Sequence, residues 1–404
     1  MIKSFIYKIL EKRHFWRYAT FGEIAELYAL RTIRVIAMNI VSGFTSVYLY
    51  EAGYSIMFII FFWLCFYVVR MPLSFVSSYI VTIIGPRRGI LISNLLYVPS
   101  MISLGLLPII GTWSILLWGF FMSISASIYQ ICYMVDFSRV KNVKNAGKEL
   151  AFINIIEKVA IGISPIIGGV IALWFGLPVV IWITAGLFIL SSLPIFWLIE
   201  PMPTRQKISF RGFPWKTNVC NIIAQLGVGF DVVTTGVIWS LFIVIAVFPG
   251  HGWDIYVKLG ILSSVTILTA IIVSYAYGKL IDNSKGKQLL ITSVLANSLV
   301  HLSRPFASTA SFIVGVNITN EISTTGYDMA CLRGVFDAAD TSGHRVAYLC
   351  FIDIMSNLGA AIACAILLLC IFVLDDINGF KLFFIMASIF VLIIGVARFN
   401  IYHE

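Results

Sequence analysis

Charge is scarce in this chain of 404 residues: Asp, Glu, Lys and Arg together make up 12%. A water-soluble globule of that length needs far more polar surface, so that class is excluded. Acidic residues are the scarcer sign, 19 against 28 Lys and Arg. No Gly-x-x-x-x-Gly-Lys-Ser/Thr sequence occurs, which argues against nucleotide binding and ATP-driven work by this chain alone. The seven cysteines have neither CxxC nor metal-ligand spacing and read as small buried hydrophobes. No nucleophile stands beside a plausible base, so neither an enzyme nor a bound cofactor or metal is expected. Residues 1–20 lack the apolar core and small-residue site of a cleavable signal peptide. Long polar loops are missing too, which leaves no room for an extramembrane domain.

What the chain has is apolar sequence, 60% of its residues. A helix needs roughly 20 apolar residues to cross a bilayer. Twelve stretches qualify: 26–50, 54–82, 89–108, 112–136, 149–174, 178–199, 218–248, 257–279, 288–306, 309–332, 346–373 and 380–399. Of the 28 basic residues, 21 fall in segments on one side of this arrangement. That positive-inside bias places both termini in the cytoplasm. The net charge of +9 is therefore topology and not a nucleic-acid footprint. The expected organisation is a basic cytoplasmic segment (1–25), a six-helix bundle (26–199), a cytoplasmic linker (200–217), a second six-helix bundle (218–399) and a short tail (400–404). Residues 1–20 mix basic and aromatic side chains, as a surface helix on anionic headgroups or a solvated basic tail would.

A repeat in the polar residues divides the chain in the same place. Gly147, Ala151 and Glu157 recur as Gly343, Ala347 and Asp353, each shifted by 196. In both places an acid follows a basic loop and enters an apolar helix. A charge inside a bilayer is costly, so having it twice implies use. Two related membrane halves around a midplane site is a common build for secondary transporters.

Two motifs carry a family resemblance. The loop after the second stretch reads Ser78-Tyr-Ile-Val-Thr82-Ile-Ile-Gly85-Pro-Arg87-Arg88-Gly89, and the loop after the eighth reads Gly278-Lys-Leu-Ile-Asp282-Asn-Ser-Lys-Gly286-Lys287. The fifth stretch holds Gly162-Ile-Ser-Pro165-Ile-Ile-Gly168-Gly169. With twelve stretches, two halves and a mid-chain linker, the chain resembles the major facilitator superfamily. The first loop is similar to that family's Gly-x-x-x-Asp-Arg-x-Gly-Arg-Arg signature at Gly85, Arg87 and Arg88, but has Ser78 and Thr82 for its first glycine and aspartate. The second loop keeps the aspartate as Asp282. The resemblance implies that Asp282 latches one access state, near Arg333. The fifth-stretch element is similar to the Gly-Pro-x-x-Gly-Gly of efflux members; small-residue packing is the alternative reading.

Span ten is the richest in candidates. Asn317, Glu321, Thr324 and Asp328 form one polar stripe at helical spacing, with Asn320 beside it. Glu321, Asp328 and Asp231 of span seven are the expected proton-coupling carboxylates. Ser123, Ser127 and Gln130 of span four supply uncharged hydrogen-bonding groups. Arg31, Arg34 and Arg70 gather in the first half. Either they bind an oxyanion on the substrate, or they pair internally with Asp136 and Glu157 and fix the bundle. Glu157 and Asp353 sit at gate depth, and a lone His301 is read as structural.

The expectation is a monomeric, all-α, multi-pass secondary transporter working by alternating access and coupled to protons. Its partners are a small organic solute, anionic or zwitterionic, and membrane lipids. A plasma membrane is expected, and the short loops favour a bacterial inner membrane. The alternatives are a multidrug or amphiphile exporter, and a non-transporting sensor or assembly partner on the same scaffold.

Overall fold

The structure, a computed structural model, describes residues 21–140, 146–193, 208–247, 269–283 and 285–402. The basic segment 1–20, residues 200–207 of the expected linker and residues 257–268 of expected span eight lie outside the described residues. Among those described, all regular structure is helical. The first half comprises α1 (Phe21–Glu51), α2 (Ile56–Ile84), α3 (Pro86–Gly105), α4 (Thr112–Val140), α5 (Ala146–Phe175) and α6 (Leu177–Ser192). The second begins with α7, which runs from Trp215 to Val247 through two π-helical turns, Thr234–Ile238 and Ile243–Val247. It continues with α8 (269–282), α9 (Gly286–Ser303), α10 (Ala310–Thr341), α11 (Arg345–Val373) and α12 (Asp376–Phe390).

Among the described residues each apolar stretch carries a helix, and seven helices are long and apolar enough, by length and composition, to cross a membrane. α4 and α10 outrun their apolar stretches. Backbone hydrogen bonding does not stop where lipid does, so the polar turns after Asp136 and Leu332 continue the same helix. Among the described residues, side-chain caps start three helices. Ser55 accepts from the Phe58 N–H, Thr309 from that of Phe312 and Asp375 from that of Asn378. Each satisfies a donor that the helix itself leaves unpaired.

Close helix crossings explain several small residues. A Cβ on Gly229 of α7 would lie 1.8 Å from the Ser356 carbonyl oxygen of α11. A Cβ on Gly359 of α11 would lie 1.9 Å from the Leu226 carbonyl oxygen of α7. The two backbones therefore touch through reciprocal glycines, as membrane helices do where small residues meet. The first half has a comparable contact, where Gly168 of the fifth-stretch motif lies against the Ile40 carbonyl of α1. Packing accounts for that glycine without any reference to cargo.

The main seam between the halves is the antiparallel packing of α2 on α11. Serines on α2 line it, with Ser74 and Ser78 buried, and Ser74 hydrogen-bonds across it. Rings close the seam where α2 approaches the segment before α7, with Phe75, Phe210 and Phe351 in mutual edge contact. Phe137 of α4 meets Phe336 of α10 at the same level, ring centroids 5.2 Å apart.

Candidate functional site between the halves

Two adjoining cavities open between the halves. The first, about 200 Å³, is lined by Arg31, Tyr133, Phe137, Asn154, Glu157, Met329 and Phe336, among others. The second, about 250 Å³, is lined by Tyr67, Arg70, Gln225, Val228, Asp353, Ser356 and Asn357, among others. Gln130, Met134, Asp328 and Leu332 line both. Those four are i, i+4 pairs on α4 and α10, so one face of each helix forms the shared wall.

The charges in and beside these cavities are mostly paired. Arg31 grips Glu157 with two nitrogens, Nε to Oε1 at 2.5 Å and Nη2 to Oε2 at 3.3 Å. Its Nη1 donates to the Tyr129 hydroxyl at 3.0 Å, and its guanidinium stacks 4.2 Å from the Tyr133 ring centre. Across the seam, Arg70 Nη2 is 3.8 Å from Asp353 Oδ1, while Ser74 donates to Asp353 Oδ2 at 2.6 Å. Lys158 of α5 reaches α10, with Nζ 2.9 Å from Glu321 Oε1. Thr325 donates to the same oxygen at 2.9 Å. Asp328 differs from all of these. It is partly exposed on the shared wall, and among the described residues it has neither a hydrogen bond nor an ion pair.

The same-half pairing expected for Arg70 is overturned, because its carboxylate is Asp353 of the other half. Of the five residues Arg31, Arg34, Arg70, Asp136 and Glu157, the pair seen among the described contacts is Arg31–Glu157. Asp136 pairs with Arg87 of the first-loop motif, Nε to Oδ2 at 3.5 Å, both buried. Sequence position fixes the depth of a residue in a span but not the direction it faces.

Arg34 faces away from the cavities and is 1% exposed. Its guanidinium lies 3.7 Å from the Tyr129 ring centre and 5.3 Å from that of Phe188, and it donates to Asn94 Oδ1. Among the described residues no carboxylate pairs with it.

The second half buries its own arginine. Arg304 is fully buried at the end of α9 and donates to Asn320 Oδ1 at 2.9 Å and Thr235 Oγ1 at 3.1 Å. Its Nη1 faces His301 Nδ1 at 3.0 Å, and His301 Nε2 faces Asp231 Oδ1 at 2.5 Å. A guanidinium only donates, so Nδ1 must accept and the imidazole proton lies on Nε2, directed at Asp231. The neutral ring thus joins a buried cation to a buried anion. Tyr327 donates to Asp231 Oδ2, and the Thr235 hydroxyl lies 3.4 Å from Oδ1. Asp231 lines neither cavity. Trp239 donates to Asn317 Oδ1 at 2.8 Å. Asn317, Asn320 and Tyr327 are thereby tied to α7 and α9, which fixes the azimuth of α10 and leaves Asp328 on the cavity wall, while Glu321 lines neither cavity.

Gln130 lines both cavities. Ser127 accepts from Arg70 Nε at 3.4 Å, and Ser123 bonds to its own helix at the Phe120 carbonyl. Asp282 ends α8 and Arg333 is buried in α10; neither lines a cavity. Two kinds of residue escaped the sequence reading. Lys158 stands beside Glu157 in an apolar span, and that adjacency of opposite charges was the available signal. Tyr129, Tyr133 and Phe137 repeat every four residues on α4, a stripe that could have been matched to the arginines of α1.

Long apolar helices in two halves with charges meeting between them are the build of a polytopic membrane protein. The chain belongs to the Major Facilitator Superfamily, whose family model matches residues 27–363. Solved structures share the fold at low sequence identity. FucP in the outward conformation, called in a second structure the E. coli fucose:proton symporter, superposes with a TM-score of 0.67 at 14% identity. That match covers 93% of this chain and 98% of FucP. The human organic anion transporter MFSD10 (TETRAN) gives 0.66 at 10% identity, covering 92% of this chain and 99% of that one. A bacterial homologue of the iron transporter ferroportin in an outward-facing state gives 0.69 at 13% identity, covering 94% and 98%. No curated protein matches the sequence.

Proposed function

We propose that the chain is a proton-coupled secondary transporter of a small solute, and that Asp328 is its coupling carboxylate. The observation that carries this is the position of Asp328, on the wall common to both cavities and without a partner among the described residues. The charged and titratable groups around it are Lys158, Glu157, Arg31, Glu321, Tyr327 and Cys331. The lining arginines, Arg31 and Arg70, are each matched by a lining carboxylate, Glu157 and Asp353. Asp328 is therefore the one carboxylate in excess among the charges lining the two cavities. That surplus favours a cargo with a cationic group, a zwitterion or an amine, over a simple anion. A purely anionic solute would have to take an arginine from its own carboxylate.

In this reading twelve helices cross a plasma membrane, in a bacterium the inner one, with both termini cytoplasmic. The halves rock about the α2–α11 seam and expose the cavities to each side in turn. Glu321, Arg70 and Asp353 act at the contact between the halves. Gln130 and Asn154 offer the cargo neutral hydrogen bonds.

The test begins with a thermal-shift screen of the purified protein against amino acids, amines and organic anions at acidic and neutral pH. A ligand that binds the folded state raises its apparent stability. Proton movement driven by the hit is then followed in proteoliposomes. Asp328→Asn should abolish that movement, and unchanged proton movement would reject the coupling role. Stabilisation by hydrophobic cations alone would favour an amphiphile exporter.

A further inference from the structure

Glu157 and Lys158 are neighbours on α5, so their side chains leave the helix about 100° apart. Glu157 turns to Arg31 in its own half, and Lys158 crosses to Glu321 in the other. On α10, Asp328 follows Glu321 by seven residues. The two carboxylates therefore share a face, about 10 Å apart along the axis. The charge of Lys158 also acts on Asp328. The 196-residue shift that relates the halves puts Ile354 opposite Lys158, and Ser125 and Cys132 opposite Glu321 and Asp328. The scaffold itself requires none of the three charges.

A lysine ammonium has the shape and charge of a primary amine on a flexible stem. It engages Glu321 while keeping part of its exposure, 24% for Lys158 and 13% for Glu321, so the pair is open to a competing cation. We propose that Lys158 is a tethered stand-in for the cargo's cationic group: Glu321 and Asp328 form a two-carboxylate ammonium site, and a cargo amine enters by displacing Lys158 from its Glu321 end. This rests on the reading that the cavities hold the cargo. In the empty site Lys158 neutralises one of the two carboxylates. A bound amine takes its place at Glu321 and leaves Lys158 free to turn toward Asp328, so three charges become four and sum to zero. Lys158 is thus a specificity residue, which sets how strongly an amine must bind to gain entry.

The probe is n-butylammonium, the lysine side chain detached from its backbone. The purified full-length protein is titrated with n-butylammonium chloride, with sodium chloride at equal ionic strength as control, and thermal stability is read. Lys158→Ala should respond to the amine at a concentration at least about tenfold below wild type, while Lys158→Arg should respond as wild type does. In the Lys158→Ala background, Glu321→Gln and Asp328→Asn should each remove the gain. If Lys158→Ala does not fold, Lys158→Met keeps the stem and carries the same test. A response no stronger than wild type, or a gain that survives Glu321→Gln, would show that Lys158 only ties the halves together and would overturn the proposal. The outcome is separable from the coupling role. Amine binding that follows this pattern in a wild-type protein that moves no protons with the amine rejects coupling and keeps the stand-in, whereas proton movement lost in Asp328→Asn beside a Lys158→Ala response no stronger than wild type does the reverse.

Discussion

Glu157 and Asp353 occupy equivalent places in the two halves and do different work. Glu157 is spent inside its own half, gripped by Arg31 of α1. Asp353 reaches out of its half, to Ser74 and Arg70 of α2. The shift that relates the two acids puts Gly227 of α7 where Arg31 stands in α1. With no arginine on α7 to hold it, Asp353 is available to the other half. The repeat thus preserves a carboxylate while its partner, and with it its role, changes. Asymmetry of this kind lets a symmetric scaffold have one internal joint and one joint between halves.

The buried arginines differ in the same way. Arg304 is connected to Asp231 through a neutral imidazole, whereas Arg34 is surrounded by rings and amides. The largest expected effect comes from breaking the connected one. Asp231→Ala leaves Arg304 buried without its anion and should cost about 3–5 kcal/mol, read as a loss of thermal stability. Arg34→Met removes a charge that leaves no carboxylate stranded, so its cost should be only about 1–3 kcal/mol. Equal losses in the two variants would erase the distinction.

The acids come next. Glu157→Gln should lower thermal stability, because it loosens Arg31 within one half. Asp353→Asn should leave stability nearly unchanged and instead alter how readily a cysteine placed in the cavity wall reacts with a polar thiol reagent. If Asp353→Asn proves the less stable of the two, its joint is structural after all. The smallest effect belongs to the pair that crosses from α5 to α10. A double-mutant cycle on Lys158 and Glu321 should return a coupling of about 0.5–1 kcal/mol, consistent with a partly exposed pair. A coupling several times larger would mark it as a permanent tie.

Much of the architecture was legible because hydropathy and helix length respond to the same constraint, the thickness of a bilayer. Pairing was less legible. Arg31 with Glu157 could be anticipated, since both are charged, deep and in one half. Arg70 with Asp353 could not, because a one-dimensional sequence gives depth but no azimuth. Asp231 looked like an accessible mid-span acid, yet the structure surrounds it with His301, Tyr327 and Thr235. The signal was present in His301, Arg304 and Asn320, but Asp231, the end of α9 and Asn320 lie on three different helices and acquire meaning only when brought together. Asp328 was legible as part of a stripe. That no described residue pairs with it is a fact of three dimensions.

The imidazole between Arg304 and Asp231 has a consequence for leakage. A chain of hydrogen bonds conducts protons only if each member can receive at one end and release at the other. His301 could pass its Nε2 proton to Asp231, but among the described residues its neighbour at Nδ1 is a guanidinium, which does not give up protons in proteins. The second half therefore contains a dead end for proton hopping directly behind the helix that bears Asp328. An ion gradient across the membrane would not drain along that path.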